Sequence, residues 1–179
     1  MAESEVEQRA AAAARKLVER LTERRCTIAL AESCTAGLVA DLVARASGAS
    51  QALWGSFVCY TADAKERMLG IDGGLLRRHG PVSGETAREM ALRALELSGA
   101  SVAAAVTGLA GPLGDGSDTP VGTVWAAVAL KAGEAACRAE KLHFAGTRAE
   151  VRMQAAAAVL DKLLAAADSP ELKGLDKIG

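Results

Sequence analysis

Three short segments of the chain carry residues able to do chemistry, and each follows an apolar run. The first is Ala31-Glu-Ser-Cys-Thr35. A serine between a strand and the start of a helix can be an exposed nucleophile, with helix N–H groups close by to stabilise an oxyanion. Ser33 or Thr35 can equally serve as a helix cap. Cys34 follows Ser33 near a helix start, where a thiol pKa can fall, so it is the rival nucleophile. The second segment is Tyr60-Thr-Ala-Asp-Ala-Lys65, which holds the only tyrosine of the chain. A desolvated lysine can act as a base toward a serine hydroxyl, so Ser33 and Lys65 make a possible dyad without histidine. A buried tyrosine and a solvated lysine are the alternative. The third is Val106-Thr-Gly-Leu-Ala-Gly-Pro112. Glycines at a strand end let backbone N–H groups approach an anion, although no Gly-Lys-Ser/Thr follows as in a Walker loop. The same residues read as a tight turn. Arg148 and Arg152 could add a cationic fork for phosphate, or lie as surface arginines at helical spacing.

The surrounding pattern says what would position these segments. Val6, Ala10, Ala13, Leu17 and Leu21 recur at helical spacing between Glu5 and Arg25. Cys26–Ala31 is a short apolar run that reads as a buried strand, and Leu38–Ala46 as a helix broken by Ser47-Gly-Ala-Ser50. Trp54–Tyr60 predicts a second strand, Lys65–Leu69 one or two helical turns, and Thr86–Leu97 a long helix ended by Ser98-Gly99. Ser101–Val106 predicts a third strand. Val121–Lys131 and Ala136–Phe144 predict a hairpin turning across Ala132-Gly133-Glu134. Gly146-Thr-Arg148 opens a last helix to about Ala167. Helices alternating with strands, and a hairpin at the end, predict a single α/β domain with three α/β/α layers and a mixed sheet. It spans residues 1–168, with 169–179 as a loose tail.

Composition narrows the function classes. Half of the 179 residues are apolar, enough for a packed core without disulfides or metal. Lys+Arg 21 against Asp+Glu 22 gives a net charge of −1, without the basic bias of a nonspecific nucleic-acid binder. Aromatics are only 3%, which leaves few platforms for stacking bases. Alanine supplies 40 residues, a composition suited to helices lying close against a sheet. No apolar run approaches the roughly 18–20 residues that span a bilayer, and the acidic start is no secretory or transit signal. Cys26, Cys34, Cys59 and Cys137 form no CxxC pair, and His79 and His143 are the only histidines. No metal site is expected, and a cytoplasmic protein with reduced thiols is.

The order of the motifs is more informative than any one of them. Ala31-Glu-Ser-Cys-Thr-Ala-Gly37, Gly55-Ser-Phe-Val-Cys-Tyr60 with Ala64-Lys65, His79-Gly-Pro-Val-Ser83, Val106-Thr-Gly-Leu-Ala-Gly-Pro112 and Pro120-Val-Gly-Thr-Val124 follow one another. Together they closely resemble the CinA C-terminal domain family, the nicotinamide-nucleotide amidohydrolases of the PncC type, from about Leu17 to about Leu164. The resemblance implies a Ser/Lys amidase with an α/β/α fold. It would convert nicotinamide mononucleotide to nicotinate mononucleotide and ammonia in pyridine nucleotide recycling, with no cofactor. The matching catalytic positions are Ser33, Lys65 and Tyr60. Substrate would be bound by Cys34, Thr35, Thr107, Gly108, Ala110, Gly111 and Arg148. The expected partner is that small molecule, not nucleic acid or a membrane, and a homo-oligomer is compatible. Some members carry an N-terminal molybdopterin-binding-like domain, for which 179 residues leave no room.

The sequence departs from the family pattern at three places. Ala36 stands for a glycine, Ala62 for an asparagine and Thr147 for an aspartate. Two other readings follow from these losses and from the family's link to competence: a catalytically impaired paralogue that binds a pyridine nucleotide, or a protein-interaction module.

Overall fold

The computed structural model describes residues 4–131 and 136–173. The amphipathic start folds as α1 (Glu5–Glu23), capped by Ser4, whose hydroxyl accepts from the Glu7 N–H. Its apolar stripe, including Ala10, Leu17 and Leu21, is buried. β1 (Ile28–Glu32) follows, then α2 (Leu38–Ala44), the single turn α3 (Ala49–Ala52) and β2 (Leu53–Val58). Next come α4 (Ala62–Leu69), α5 (Gly73–His79) and α6 (Gly84–Ser98). β3 (Val102–Gly108), β4 (Thr123–Leu130) and β5 (Ala136–His143) lead to α7 (Arg148–Ala167) and α8 (Pro170–Lys173).

The expected mixed sheet is present. Its order is β2-β1-β3-β4-β5, with β1 parallel to β2 and β3, and β3-β4-β5 antiparallel. The turn expected across Ala132-Gly133-Glu134 lies outside the described residues. Three elements exceed expectation. The single turn α3 starts within the expected break Ser47-Gly-Ala-Ser50. α5 forms despite Gly73 and Gly74 because Asp72 caps it, accepting from the Leu75 N–H at 2.9 Å. α8 stands where a loose tail is expected from Ser169, and its Leu172 is fully buried in the core beside α7; residues 174–179 lie outside the described residues.

Strand alternation sorts the core into two layers. Ile28, Leu30, Val102, Val106 and Val124 face α1, α2 and α7. Ala29, Ala31, Ala103, Ala105, Ala127 and Ala129 face α6, whose own stripe includes Ala87, Ala91 and Ala94. Two motif glycines are required by close approach. A Cβ on Gly108 would sit 2.6 Å from the Thr123 carbonyl oxygen, and one on Gly122 would sit 2.1 Å from the Phe144 carbonyl oxygen, at a φ of +92°. No helix among the described residues is long and apolar enough to cross a membrane.

Candidate active site

β1 and β2 are adjacent and parallel, but their exits diverge. The chain leaving β1 enters α2, whose Val39, Leu42 and Val43 join one core layer. The chain leaving β2 enters α4, whose Leu69 joins the other. A crevice opens at such a switch point, beyond the carboxyl ends of the strands. Ser33 lies on one side of it, directly after β1. Lys65 lies on the other, in the first turn of α4.

Lys65 reaches back across the crevice. Its Nζ donates to Ser33 Oγ at 2.9 Å and to the Cys59 carbonyl at 3.1 Å. The side chain is only 1% exposed and has no carboxylate partner among the described residues. Burial therefore pushes its pKa below the ordinary lysine value, the lost hydration of the ammonium outweighing the opposing effect of the Cys59 and Cys34 thiols. Ser33 Oγ also donates, at 3.4 Å, to the Tyr60 carbonyl. The alternative of a solvated lysine does not hold.

Nor does Ser33 act as a helix cap. The N-cap of α2 is Gly37, which has no side chain to offer. Glu32 supplies the acceptors instead. Its carboxylate takes N–H bonds from Gly37 (2.9 Å), Val39 (3.1 Å) and Ala40 (3.0 Å), and the Ser56 hydroxyl donates to it at 3.1 Å. Sequence reasoning assigned Glu32 no role. The available signal was an acidic residue ending the apolar run Ile-Ala-Leu-Ala just ahead of a helix that lacks its own cap. Because α2's first N–H groups are already occupied, an anion at Ser33 has to be held by the turn itself. The N–H groups of Cys34 and Thr35 have no acceptor elsewhere in the chain among the described residues. Glu32→Ala would leave three N–H groups and a hydroxyl without their acceptor, so stability should fall by about 3–5 kcal/mol. Urea denaturation would measure it; a loss below about 1 kcal/mol would mean that water replaces the carboxylate.

The other expected residues sort into pocket lining and bracing. Ser33, Cys34, Tyr60, Lys65, Thr107, Gly108, Ala110, Gly111 and Arg148 all line one open pocket with about 620 Å³ of empty volume, with Leu113 and Asp115 at the same pocket. Thr35 does not line it. The whole residue is fully buried and its hydroxyl has no partner among the described residues, so that hydroxyl does not serve the site. The Thr107 hydroxyl donates to the Pro81 carbonyl at 2.7 Å, tying β3's end to the loop before α6. The Tyr60 ring is half exposed, and its phenol is bonded by Arg148 rather than by Ser33 or Lys65. A proton relay through that phenol has no hydrogen bond to run on; it is the Tyr60 carbonyl that touches Ser33. Arg148 also donates to the Gly111 carbonyl at 2.6 Å, so it spans the pocket's rim. Arg152 is not beside it in a fork. It passes under the serine turn, donating to the Cys34 carbonyl (3.1 Å) and the Thr35 carbonyl (2.6 Å). The rival thiol is disfavoured: burial pushes Cys34 up to about 11.

Two departures from the family pattern have local explanations. Thr147 caps α7 in a full capping box with Glu150, which is the work an aspartate would do there. Ala36 adopts a left-handed φ of +52°. A non-glycine residue pays roughly 1 kcal/mol or more for that conformation.

An open mixed sheet with helices packed on both faces, carrying a buried serine–lysine pair at its carboxyl edge, defines an α/β/α domain. The chain belongs to the CinA family: residues 10–167 match the CinA C-terminal domain. A CinA-like protein of Geobacter metallireducens is 47% identical over 137 residues, 76% of this chain and 32% of that protein. A CinA-like protein of Mycolicibacterium vanbaalenii is 45% identical over 126 residues, 70% of this chain and 29% of that protein. The chain thus spans about a third of the length of the curated relatives it matches. Among solved structures, the competence/damage inducible protein CihA from Agrobacterium tumefaciens is 34% identical with a TM-score of 0.82, covering 92% of this chain and 97% of that one. The CinA superfamily protein from Escherichia coli is 32% identical, also with a TM-score of 0.82, covering 92% of this chain and 93% of that one.

Proposed function

We propose that this domain hydrolyses the carboxamide of nicotinamide mononucleotide, releasing ammonia and nicotinate mononucleotide. The observation that carries this reading is the buried Lys65 Nζ, without a carboxylate partner among the described residues and 2.9 Å from Ser33 Oγ. The choice of substrate is supported by the family's motifs, four of whose five segments contribute residues to the pocket, among them Ser33, Lys65, Pro81 and Thr107.

The chemistry starts from neutral Lys65, whose lone pair takes the Ser33 proton while an N–H still bonds the Cys59 carbonyl. Ser33 Oγ attacks the carboxamide carbon. The oxygen that gains the negative charge is held by the N–H groups of Cys34 and Thr35. Lys65 returns its proton to the leaving nitrogen, ammonia departs, and an ester on Ser33 remains. Water, deprotonated by Lys65, then attacks the ester and frees nicotinate mononucleotide. At the rim, Arg148 and the N–H groups of Ala110 and Gly111, which have no acceptor elsewhere in the chain among the described residues, hold the phosphate.

Purified protein is expected to release ammonia from nicotinamide mononucleotide in proportion to enzyme. A pyridine nucleotide that binds without ammonia release would favour the impaired-paralogue reading. Arg148→Ala should raise KM for the mononucleotide about 10- to 100-fold, the value of a charge-assisted phosphate contact. kcat should move little, and nicotinamide riboside, which lacks the phosphate, should lose far less. Steady-state kinetics on both substrates checks this; an equal loss on the riboside would remove Arg148 from the phosphate site.

A further inference from the structure

Arg152 makes no contact that the proposed chemistry uses, yet two of its guanidinium nitrogens are spent on the serine turn. It sits one helical turn after Arg148 on α7, so both side chains leave the same helix face. Nε donates to the Cys34 carbonyl and Nη2 to the Thr35 carbonyl. Among the described residues it has no carboxylate partner. A full positive charge is therefore directed at two consecutive peptide groups.

The consequence follows from peptide geometry. In a trans peptide the C=O and N–H point in opposite directions within one plane. The Cys34 carbonyl shares its peptide with the Thr35 N–H. Fixing that carbonyl on α7 turns the Thr35 N–H away from α7, and a cation on the oxygen polarises the group and strengthens its N–H as a donor. The turn needs such a hold. Ala36 and Gly37 are both left-handed, at φ of +52° and +91°. Two backbone bonds close it, from the Ala36 N–H to the Ser33 carbonyl at 3.0 Å and from the Leu38 N–H to the Thr35 carbonyl at 3.2 Å, and neither holds the Cys34 carbonyl.

We propose that Arg152 is a positioning residue that aims and polarises the Thr35 N–H as an oxyanion donor. This rests on the reading of Ser33 as the nucleophile. It acts through the peptide and does not touch the substrate.

The test uses Arg152→Gln and Arg152→Lys in the full chain, with two readouts. The first is kcat and KM for nicotinamide mononucleotide. The second is the rate at which Ser33 is labelled by a fluorophosphonate, which needs no knowledge of the substrate. In that reaction Ser33 oxygen bonds to phosphorus, fluoride leaves, the serine proton passes to Lys65, and negative charge develops on the phosphoryl oxygen. Arg152→Gln should lower both kcat and the labelling rate about 10- to 100-fold, a part of what losing one donor costs. KM and the thermal midpoint should hardly change. Arg152→Lys should recover part of the loss, since an ammonium keeps the charge but cannot fork to two carbonyls.

Unchanged kcat and labelling in Arg152→Gln would overturn the proposal. So would a loss that tracks KM or unfolding, because that describes a brace and nothing more. Wild-type protein that labels at Ser33 but releases no ammonia would refute the substrate assignment, leaving Arg152 to be judged on labelling alone. Wild-type protein that does neither would overturn both readings.

Discussion

Ser33→Ala is expected to lower deamidation by about 10⁴-fold or more while leaving a folded domain. The hydroxyl is the atom that bonds to the substrate, and no neighbour can take over. Cys34 is adjacent, but its thiol is pushed up to about 11 by burial. At pH 7 only about one molecule in 10⁴ would carry the thiolate. Cys34→Ala should therefore keep most of the activity. Stability in Ser33→Ala should drop by about 1–2 kcal/mol, because Lys65 keeps the Cys59 carbonyl but loses its second partner. Ammonia release by the two variants, with thermal melts of each, checks the assignment. If Cys34→Ala is dead and Ser33→Ala active, the nucleophile is the thiol.

Lys65→Met should lower kcat about 10²- to 10⁴-fold, the usual contribution of a positioned base, with little change in KM. Lys65→Arg should not rescue it, because a guanidinium stays protonated. The pH dependence has a definite sign. Burial lowers the Lys65 pKa, and only the neutral amine accepts the serine proton, so wild-type kcat rises with pH through that lowered value. Stability carries the same signature. Between the lowered folded pKa and the ordinary value of 10.5, the unfolded chain holds the extra proton. Folding therefore becomes more favourable as pH rises through that window, and below it the cost of the buried ammonium is constant. Lys65→Met should flatten this slope and be at least as stable as wild type at neutral pH. Near-wild-type turnover in Lys65→Arg would sink the dyad.

The sheet and its major helices were legible because strand runs such as Ser101–Val106 and helical stripes such as Ala10, Leu17 and Leu21 are periodic. α5 was not, since Gly73-Gly74 reads as a break until Asp72 is seen to cap it. The same contrast holds at the site. Ser33 stands out because it follows an apolar run at a helix start, and Lys65 because it opens a helical turn just past a strand end, and the fold brings them together. Glu32 and Arg152 act on backbone groups of a neighbouring turn. Which N–H or carbonyl they reach depends on left-handed residues 36 and 37, and side-chain type carries no trace of that. Tyr60 misled for a related reason: its carbonyl, which any residue would supply, meets Ser33, while its ring turns outward to Arg148.

The alanine-on-alanine layer between the sheet and α6 has a consequence for how this domain can change over generations. Ala29, Ala31, Ala103, Ala105, Ala127 and Ala129 meet Ala87, Ala91 and Ala94, with Met90 and Leu95 the larger buried side chains of α6. Any added methylene there has to be met by moving backbone, at about 1–3 kcal/mol each. The opposite layer holds more Ile, Val and Leu beside its own alanines, and there one branched chain can be traded for another at less than about 1.5 kcal/mol. Drift is therefore one-sided. Accepted core substitutions accumulate behind α1 and α7, while the α6 side is held still. The end of β1 that carries Ser33 is thus anchored on one flank by a layer that selection can scarcely rewrite.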